Sequence, residues 1–253
     1  MKNLCFIGTS HLGVLAQAWT RRLAPNYPEF TASFFGGPGQ SLYQAEFLPN
    51  QIKAPANSQL EEFFQLSAGR ITIELNQYAA FIFQGLDFPL NNFIEINDLM
   101  QEDSNSLNQQ FFSSDCLETA IKVTLGRSPV KTYIEHIRQH VNAPIIISLS
   151  PRISILAFEK SPAIYKNYLD QAHFFEDLFA QARDAVFQYE NLSFIEQPQD
   201  TLAVPYPCFT KYEYLNSYGQ ISPEVDQDLG HKNVKYGKLT LTKIMEHIKT
   251  LEL

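Results

Sequence analysis

Five short apolar runs alternate with longer stretches of helical periodicity, and this alternation constrains the fold more than any other feature. The runs occupy 4–7, 30–35, 80–83, 144–149 and 192–195, and the helical patterns occupy roughly 113–125, 128–141, 162–189 and 234–251. The run PIIISL at 144–149 is almost wholly apolar, as expected of a strand buried on both faces. Strands that alternate with helices predict βαβ units and a mostly parallel sheet with right-handed crossovers.

No internal repeat or interdomain linker interrupts this pattern, so residues 1–253 are predicted to form a single domain. With 45% apolar and 18% charged residues, a chain of this length can bury a sizeable core. The stretch 86–143 is long for one crossover and contains the polar run QEDSNSLNQQ at 101–110. We expect a helical excursion there that can cover the carboxyl edge of the sheet.

The charge balance and the cysteine pattern exclude several classes of partner. A net charge of −8 lacks the basic footprint of a nucleic-acid-binding protein and disfavours docking on anionic membranes. The three cysteines form no CxxC motif, so we expect reduced, structural thiols and no metal site. The first apolar run is shorter than the ~7–15 residues of a signal-peptide core, and no window approaches ~20 apolar residues. We therefore expect a cytoplasmic protein.

Polar and glycine residues follow most of the predicted strands directly. Ligands of an open parallel sheet bind beyond the carboxyl ends of its strands, so these residues are expected to share one crevice. They are Ser10 after the first run, Gly36, Gly37 and Gly39 after the second, Gln84, Gly85 and Asp87 after the third, and Ser148, Ser150 and Arg152 after the fourth. Asp228, His231 and Asn233 precede the last helical pattern and are candidates for the same crevice.

A serine, a histidine and an aspartate in one crevice point to nucleophilic acyl transfer. A serine hydroxyl becomes a useful nucleophile when a neighbouring base takes its proton, and His231 can be that base for Ser10. Asp228 can hold the second ring nitrogen of His231 in the right tautomer, with Asp226 as a competing acid. Ser10 at a helix start brings backbone N–H groups towards a developing oxyanion, and Gly37 or a neighbouring glycine can add a second donor.

These motifs resemble those of the SGNH (GDSL-like) hydrolase superfamily. Gly8-Thr-Ser10 is similar to its first block, and the glycine loop at 36–39 matches its second block in position. The segment 228–237 is similar to the last block, D-x-x-H, with its H-x-N-x-x-Y-G continuation. The resemblance implies a three-layer α/β/α fold with a five-stranded parallel sheet in the order 2-1-3-4-5.

The resemblance also implies a function. It is that of a serine esterase or acyltransferase acting on small O-acyl esters, most simply O-acetyl esters of carbohydrates, without cofactor or metal. Its oxyanion hole would be formed by Ser10, Gly37 and Gly85. Residues predicted to contact the substrate are Gly36, Gln84, Asp87, Arg152 and Asn233.

One block departs from the family pattern, which is G-x-N-D with an asparagine that donates to the oxyanion. Here Asp87 occupies the asparagine position, and an ionised carboxylate cannot donate a hydrogen bond. Three interpretations stay open: burial protonates Asp87, Gln84 supplies the amide donor instead, or the oxyanion hole is incomplete. The third makes a weak or inactive SGNH-fold binding protein in glycan biosynthesis the alternative function. A further alternative is a nucleotide-binding domain that uses the loop 36–39 for phosphate.

Four residues have structural interpretations beside their functional ones. Ser10 can be a simple helix N-cap, since serine is a preferred capping residue. His11 is interpreted as a first-turn or substrate-edge residue. His136 and His140 share one helix face, where a solvated surface is favoured over zinc because the glutamate of HExxH is missing.

Overall fold

The computed structural model describes residues 1–85, 113–216, 229–251 and 253. The polar run at 101–110 lies outside this part of the chain, as does the first part of the predicted excursion, residues 86–112. The described strands are β1 (Lys2–Gly8), β2 (Phe30–Gly36), β3 (Glu46–Leu48), β4 (Gln51–Lys53), β5 (Thr72–Glu74), β6 (Ala80–Gln84), β7 (Ile145–Ser148) and β8 (Leu192–Ile195). The described α-helices are α1 (Leu12–Ala18), α2 (Gln59–Ala68), α3 (Ser114–Gly126), α4 (Pro129–His140), α5 (Ile155–Lys160), α6 (Pro162–Val186) and α7 (Val234–Thr250).

The main sheet contains five parallel strands in the order β2-β1-β6-β7-β8. Numbered among themselves, these strands follow the order 2-1-3-4-5. The predicted fold class, a three-layer α/β/α domain with this sheet, is therefore confirmed. Each of the five apolar runs forms one of its strands, and the four predicted helical patterns correspond to α3, α4, α6 and α7.

Alternate residues of the strands enter two separate hydrophobic cores. On β1, Cys5 and Ile7 pack into the core beside α2, α3, α4 and α6, whereas Leu4 and Phe6 pack into the core beside α1 and α7. Ile146 of β7 also points to the α1 and α7 side, while its neighbours in the strand point to the other. Burial on both faces explains why these strands are apolar throughout rather than alternating.

Helices α1 and α7 cross at a glycine, and this crossing brings the starts of the first and the last α-helix together. A β-carbon on Gly237 would lie 2.4 Å from the carbonyl oxygen of Val14, closer than any real contact. Only glycine allows the two helix backbones to approach this closely. Because α1 begins just after Ser10 and α7 begins just after His231, the crossing fixes the relative positions of those two residues.

A small antiparallel sheet, β3-β4-β5, was not predicted from the sequence. Ile52 and Ile73 on this sheet are fully buried, and Phe47 packs edge-on against His136 of α4 with ring centroids 5.2 Å apart. A ring nitrogen of His136 lies 3.0 Å from the Gln51 carbonyl oxygen. The prediction of a solvated face for His136 is therefore wrong, because the small sheet covers it.

Within the described ranges, no helix is both long enough and apolar enough to cross a membrane.

Candidate functional site

The carboxyl ends of β1 and β6 meet at the point where the strand order reverses. Gly8 pairs with Gln84, and the Thr9 N–H donates to the Gln84 carbonyl at 3.2 Å. The Thr9 hydroxyl donates to the carbonyl of Gly85, which has a positive φ of 70°. A reversal of strand order leaves a crevice beyond the carboxyl ends, where ligands of such sheets bind.

Ser10 lies in the turn between β1 and α1, at the opening of this crevice. The residue is exposed, and its carbonyl accepts the Gly13 N–H at 3.2 Å. The helix N-cap is His11, and no side chain caps this end of α1. The capping interpretation of Ser10 thus has no hydrogen bond to support it in the described part of the chain.

His231 lies on the segment that leads into α7 and meets the start of α1. Its ring centroid is 5.7 Å from that of His11, with the two planes tilted by 43°. The His231 carbonyl accepts the Asn216 N–H at 3.0 Å, which ties the segment to the preceding chain. Ser10 and His231, far apart in sequence, therefore lie on neighbouring turns at one edge of the sheet.

His11 contacts both sides of the crevice and received no catalytic role from the sequence. A β-carbon on Gly85 would lie 3.2 Å from Cδ2 of His11, so the imidazole covers the end of β6. On its other side the same ring faces His231. The only sequence signal for this position was its place directly after Ser10, consistent with a residue at the edge of the substrate.

Asn233 is a helix cap rather than a substrate contact. Its Oδ1 accepts the N–H groups of Lys235 and Tyr236 at 3.0 and 3.2 Å. Its Nδ2 donates to the carbonyls of Glu213 and Leu215 at 2.8 and 3.1 Å. These four hydrogen bonds engage the whole amide, so the predicted substrate contact is corrected to a structural role. The signal was present in the sequence, because asparagine before an amphipathic run is a helix start.

Lys232, directly after His231, is the most deeply buried lysine side chain at 1% exposure among the described residues. Its Nζ donates to the Gly230 carbonyl at 2.8 Å. Lys232 also forms an antiparallel bridge with Leu215. Together with the Asn233 cap, these contacts hold the backbone on both sides of His231.

The glycine loop after β2 presents its amides differently from the prediction. The Gly37 N–H donates to the Gly8 carbonyl at 3.0 Å, and the Gly36 N–H donates to Ser67 Oγ at 3.1 Å. Both N–H groups are therefore engaged within the protein and are not available in this conformation to donate to an oxyanion or a phosphate. The geometry therefore does not support Gly37 as an oxyanion donor, Gly36 as a substrate contact, or a phosphate cradle in this loop.

Gln84 is buried at 1% exposure between β1 and β7. Its Nε2 lies 3.4 Å from the Leu149 carbonyl, a long hydrogen bond, and its Oε1 has no partner among the described residues. Unpaired buried amide oxygens are costly, so Gln84 stays a candidate for a ligand contact at the sheet edge.

Arg152 follows β7 but already has an anionic partner. Its Nη1 lies 2.5 Å from a carboxylate oxygen of Glu176 and donates to the Pro207 carbonyl at 2.8 Å. Its backbone N–H donates to Gln197 Oε1 at 2.8 Å. The guanidinium is thus occupied by the fold, which does not support the predicted binding of a substrate anion.

The two predicted carboxylates of the site, Asp87 and Asp228, lie outside the described residues, as does Asp226. In the described ranges, no three His, Cys, Asp or Glu side chains are grouped to hold a metal ion. Cys5, Cys116 and Cys208 are free thiols. Burial raises the pKa of Cys208 to about 11, so this thiol is neutral at ordinary pH.

Comparisons with known proteins return solved structures only. No family model matches the chain, and no curated protein matches its sequence. Solved structures that it resembles include an extracellular lipase from Streptomyces rimosus, at 13% identity and a TM-score of 0.49, covering 97% of this chain and 99% of that chain. Two others are the acetyl xylan esterase Est2A from Butyrivibrio proteoclasticus (11%, TM-score 0.45) and a family two carbohydrate esterase from Clostridium thermocellum (11%, TM-score 0.39). Each of these two covers 98% of this chain, which spans 64% and 63% of their lengths, a little under two thirds.

The strand order and the flanking helices define the class of the protein as a three-layer α/β/α fold, with Ser10 after β1 and His231 before the last helix. This is the fold that the resemblance of the sequence motifs to the SGNH superfamily implies.

Proposed function

We propose that this protein is a serine esterase or acyltransferase acting on small O-acyl esters, with O-acetyl groups on carbohydrates as the favoured substrates. The observation that carries the proposal is the contact between the imidazoles of His11 and His231, 5.7 Å apart. This contact supports a shared crevice for the turn that contains Ser10 and the segment that contains His231. The strand-order reversal supports the same location, because ligands of open parallel sheets bind at such points.

In the proposed reaction, His231 takes the hydroxyl proton of Ser10 as the serine oxygen attacks the acyl carbon. The carbonyl oxygen becomes an oxyanion, and the His231 imidazolium then returns the proton to the departing alcohol. Water attacks the acyl-serine in a hydrolase, and a second alcohol attacks it in a transferase. Asp228 is proposed to orient His231 and to stabilise its cationic form.

Oxyanion stabilisation is proposed to come from the backbone N–H of Ser10 and from the amide of Gly85. Among the described residues, the Ser10 N–H has no backbone acceptor, consistent with a donor reserved for a ligand. The Gly37 amide would join them only after leaving the Gly8 carbonyl. Such amides act in a partly desolvated site, where each donor is worth about 3–4 kcal/mol of transition-state stabilisation.

A second candidate, a weakly active or inactive binding protein of glycan biosynthesis, is favoured by this same Gly37–Gly8 hydrogen bond. An oxyanion hole that lacks one amide donor loses about 10²–10³ in turnover. The two candidates differ in whether Ser10 is activated at all.

The experiment is hydrolysis of a small acetyl ester by the wild-type protein, Ser10→Ala and His231→Gln. The proposal predicts measurable turnover that both variants lower by about 10³ or more. Asn142→Ala, at an exposed position remote from the crevice, is the control and is expected to keep wild-type activity. Turnover that is equal in wild type and Ser10→Ala would reject the proposal.

A further inference from the structure

An open groove with a volume of about 500 Å³ lies beside the glycine loop, outside the proposed catalytic residues. It runs between the 3-10 helix Gly39–Gln44 and the start of α2. Three glutamines, a tyrosine, a serine and a proline line it: Pro38, Gln40, Ser41, Tyr43, Gln44 and Gln59. Its volume falls within the range of small-molecule sites, roughly 300–1,000 Å³.

The floor of the groove is fixed by buried contacts. The Tyr133 hydroxyl, on a side chain only 1% exposed, donates to the Leu42 carbonyl at 3.1 Å. The Ser41 N–H donates to the Pro38 carbonyl at 3.0 Å. A β-carbon on Gly37 would lie 2.6 Å from Ser41 Oγ, so the serine packs directly on the glycine loop. The groove is therefore formed before any ligand arrives.

Ser41 carries the second observation. Its side chain is 4% exposed, and its hydroxyl has no hydrogen-bond partner among the described residues. A buried hydroxyl without a partner is costly, by about 1–3 kcal/mol. Because this hydroxyl packs against Gly37, a ligand hydroxyl in the groove would supply the missing bond once the Ser41 side chain rotates towards the groove.

The chemistry of the lining selects the class of ligand. Glutamine side chains both donate and accept hydrogen bonds, as vicinal sugar hydroxyls do, and the exposed ring of Tyr43 offers an apolar face for a pyranose ring. None of the lining residues is charged, so an anionic ligand would lose its hydration without gaining a cation. An acyl chain needs apolar walls, which three glutamines do not provide.

We propose that this groove is a binding site for a neutral oligosaccharide, gripped by Tyr43, Gln44 and the buried hydroxyl of Ser41. The Gly37 N–H donates to the carbonyl of Gly8, two residues before Ser10, so the glycine loop beside the groove adjoins the turn that contains the proposed nucleophile. As a site for the sugar part of the substrate, the groove rests on the proposed function. The binding of the sugar itself does not depend on it.

The test is calorimetric titration of the full chain with cellotetraose and xylotetraose, two neutral oligosaccharides, and with trigalacturonate, an anionic one. The groove predicts binding of at least one neutral probe and binding of trigalacturonate at least about tenfold weaker. Tyr43→Ala is expected to weaken the neutral probe about tenfold, and Ser41→Ala about three- to tenfold. Ser41→Ala should not lower the melting temperature, because the hydroxyl it removes has no partner in the free protein.

Gln59→Ala and Gln65→Ala form a matched pair on α2. Gln59 lines the groove, whereas Gln65 is exposed on the same helix outside it. Only the first is expected to weaken binding. Failure of both neutral probes to bind, or unchanged affinity in Tyr43→Ala and Ser41→Ala, would overturn the groove.

Labelling of Ser10 by a fluorophosphonate separates the two proposals. Labelling of Ser10 without oligosaccharide binding would reject the groove as an oligosaccharide site and would leave the esterase proposal unaffected. Oligosaccharide binding without labelling would support the groove and favour the binding-protein alternative over the enzyme.

Discussion

The close crossing of α1 and α7 makes Gly237→Ala a quantitative test of the structure. The added β-carbon would lie 2.4 Å from the Val14 carbonyl oxygen and 2.8 Å from its carbonyl carbon, so a helix backbone must move. Overpacking of this kind costs about 3 kcal/mol at the upper end of its usual range. Replacing glycine by alanine within a helix returns about 1 kcal/mol. The expected net loss is therefore about 2 kcal/mol, or a melting temperature lower by about 4–8 °C.

Gly13→Ala is the matched control for this change, because Gly13 lies on α1 with no atom within 4 Å of an added β-carbon. This variant should gain only the higher helix propensity of alanine, about 1 kcal/mol, which raises the melting temperature by about 2–4 °C. Thermal unfolding followed by circular dichroism measures both variants. Equal or higher stability of Gly237→Ala would show that the two helices do not meet at Val14. The same variant should slow turnover, because it separates the turns that contain Ser10 and His231.

Three further predictions concern side chains around the crevice and a buried thiol. Asn233→Ala removes a helix cap with four hydrogen bonds. It should lower the free energy of unfolding in urea by about 1–2 kcal/mol and should also lower kcat. Asn233→Asp should restore part of the stability and part of kcat. His11→Gln removes the ring that faces His231, and steady-state kinetics on a small ester should show kcat lower by about tenfold with stability nearly unchanged; equal kcat would reject a role in positioning. Iodoacetamide at about pH 8 should modify the exposed Cys116, whereas Cys208 should react only as the pH approaches its raised pKa of about 11, as peptide mass mapping can report.

The main sheet could be predicted because its strands are buried on both faces. The strand β7 and its neighbour β6 consist of consecutive apolar residues ended by a polar one, a pattern with few alternatives. The strands β3, β4 and β5 were not predicted, because each has only three residues, too few for an alternation of apolar and polar residues to be recognised. They form because the small sheet packs on α4, which is a tertiary effect.

The candidate site was predictable where it depends on chain position and not where it depends on hydrogen-bond partners. The places of Ser10 and His231 follow from their positions after β1 and before α7. The engagement of Gly37 with Gly8 and of Arg152 with Glu176 depends on neighbours that only the folded chain brings close. The buried hydroxyl of Ser41 is likewise a product of packing, since nothing in its local sequence sets it apart.

The central claim is that Ser10 is an activated nucleophile, and covalent labelling tests it most directly. Wild type and Ser10→Ala are each incubated with a fluorophosphonate at several values between about pH 6 and 9, and the intact mass of each protein is then measured. The account predicts one adduct on wild type and none on Ser10→Ala. An unlabelled wild type throughout this range, or an equal adduct on Ser10→Ala, would contradict it.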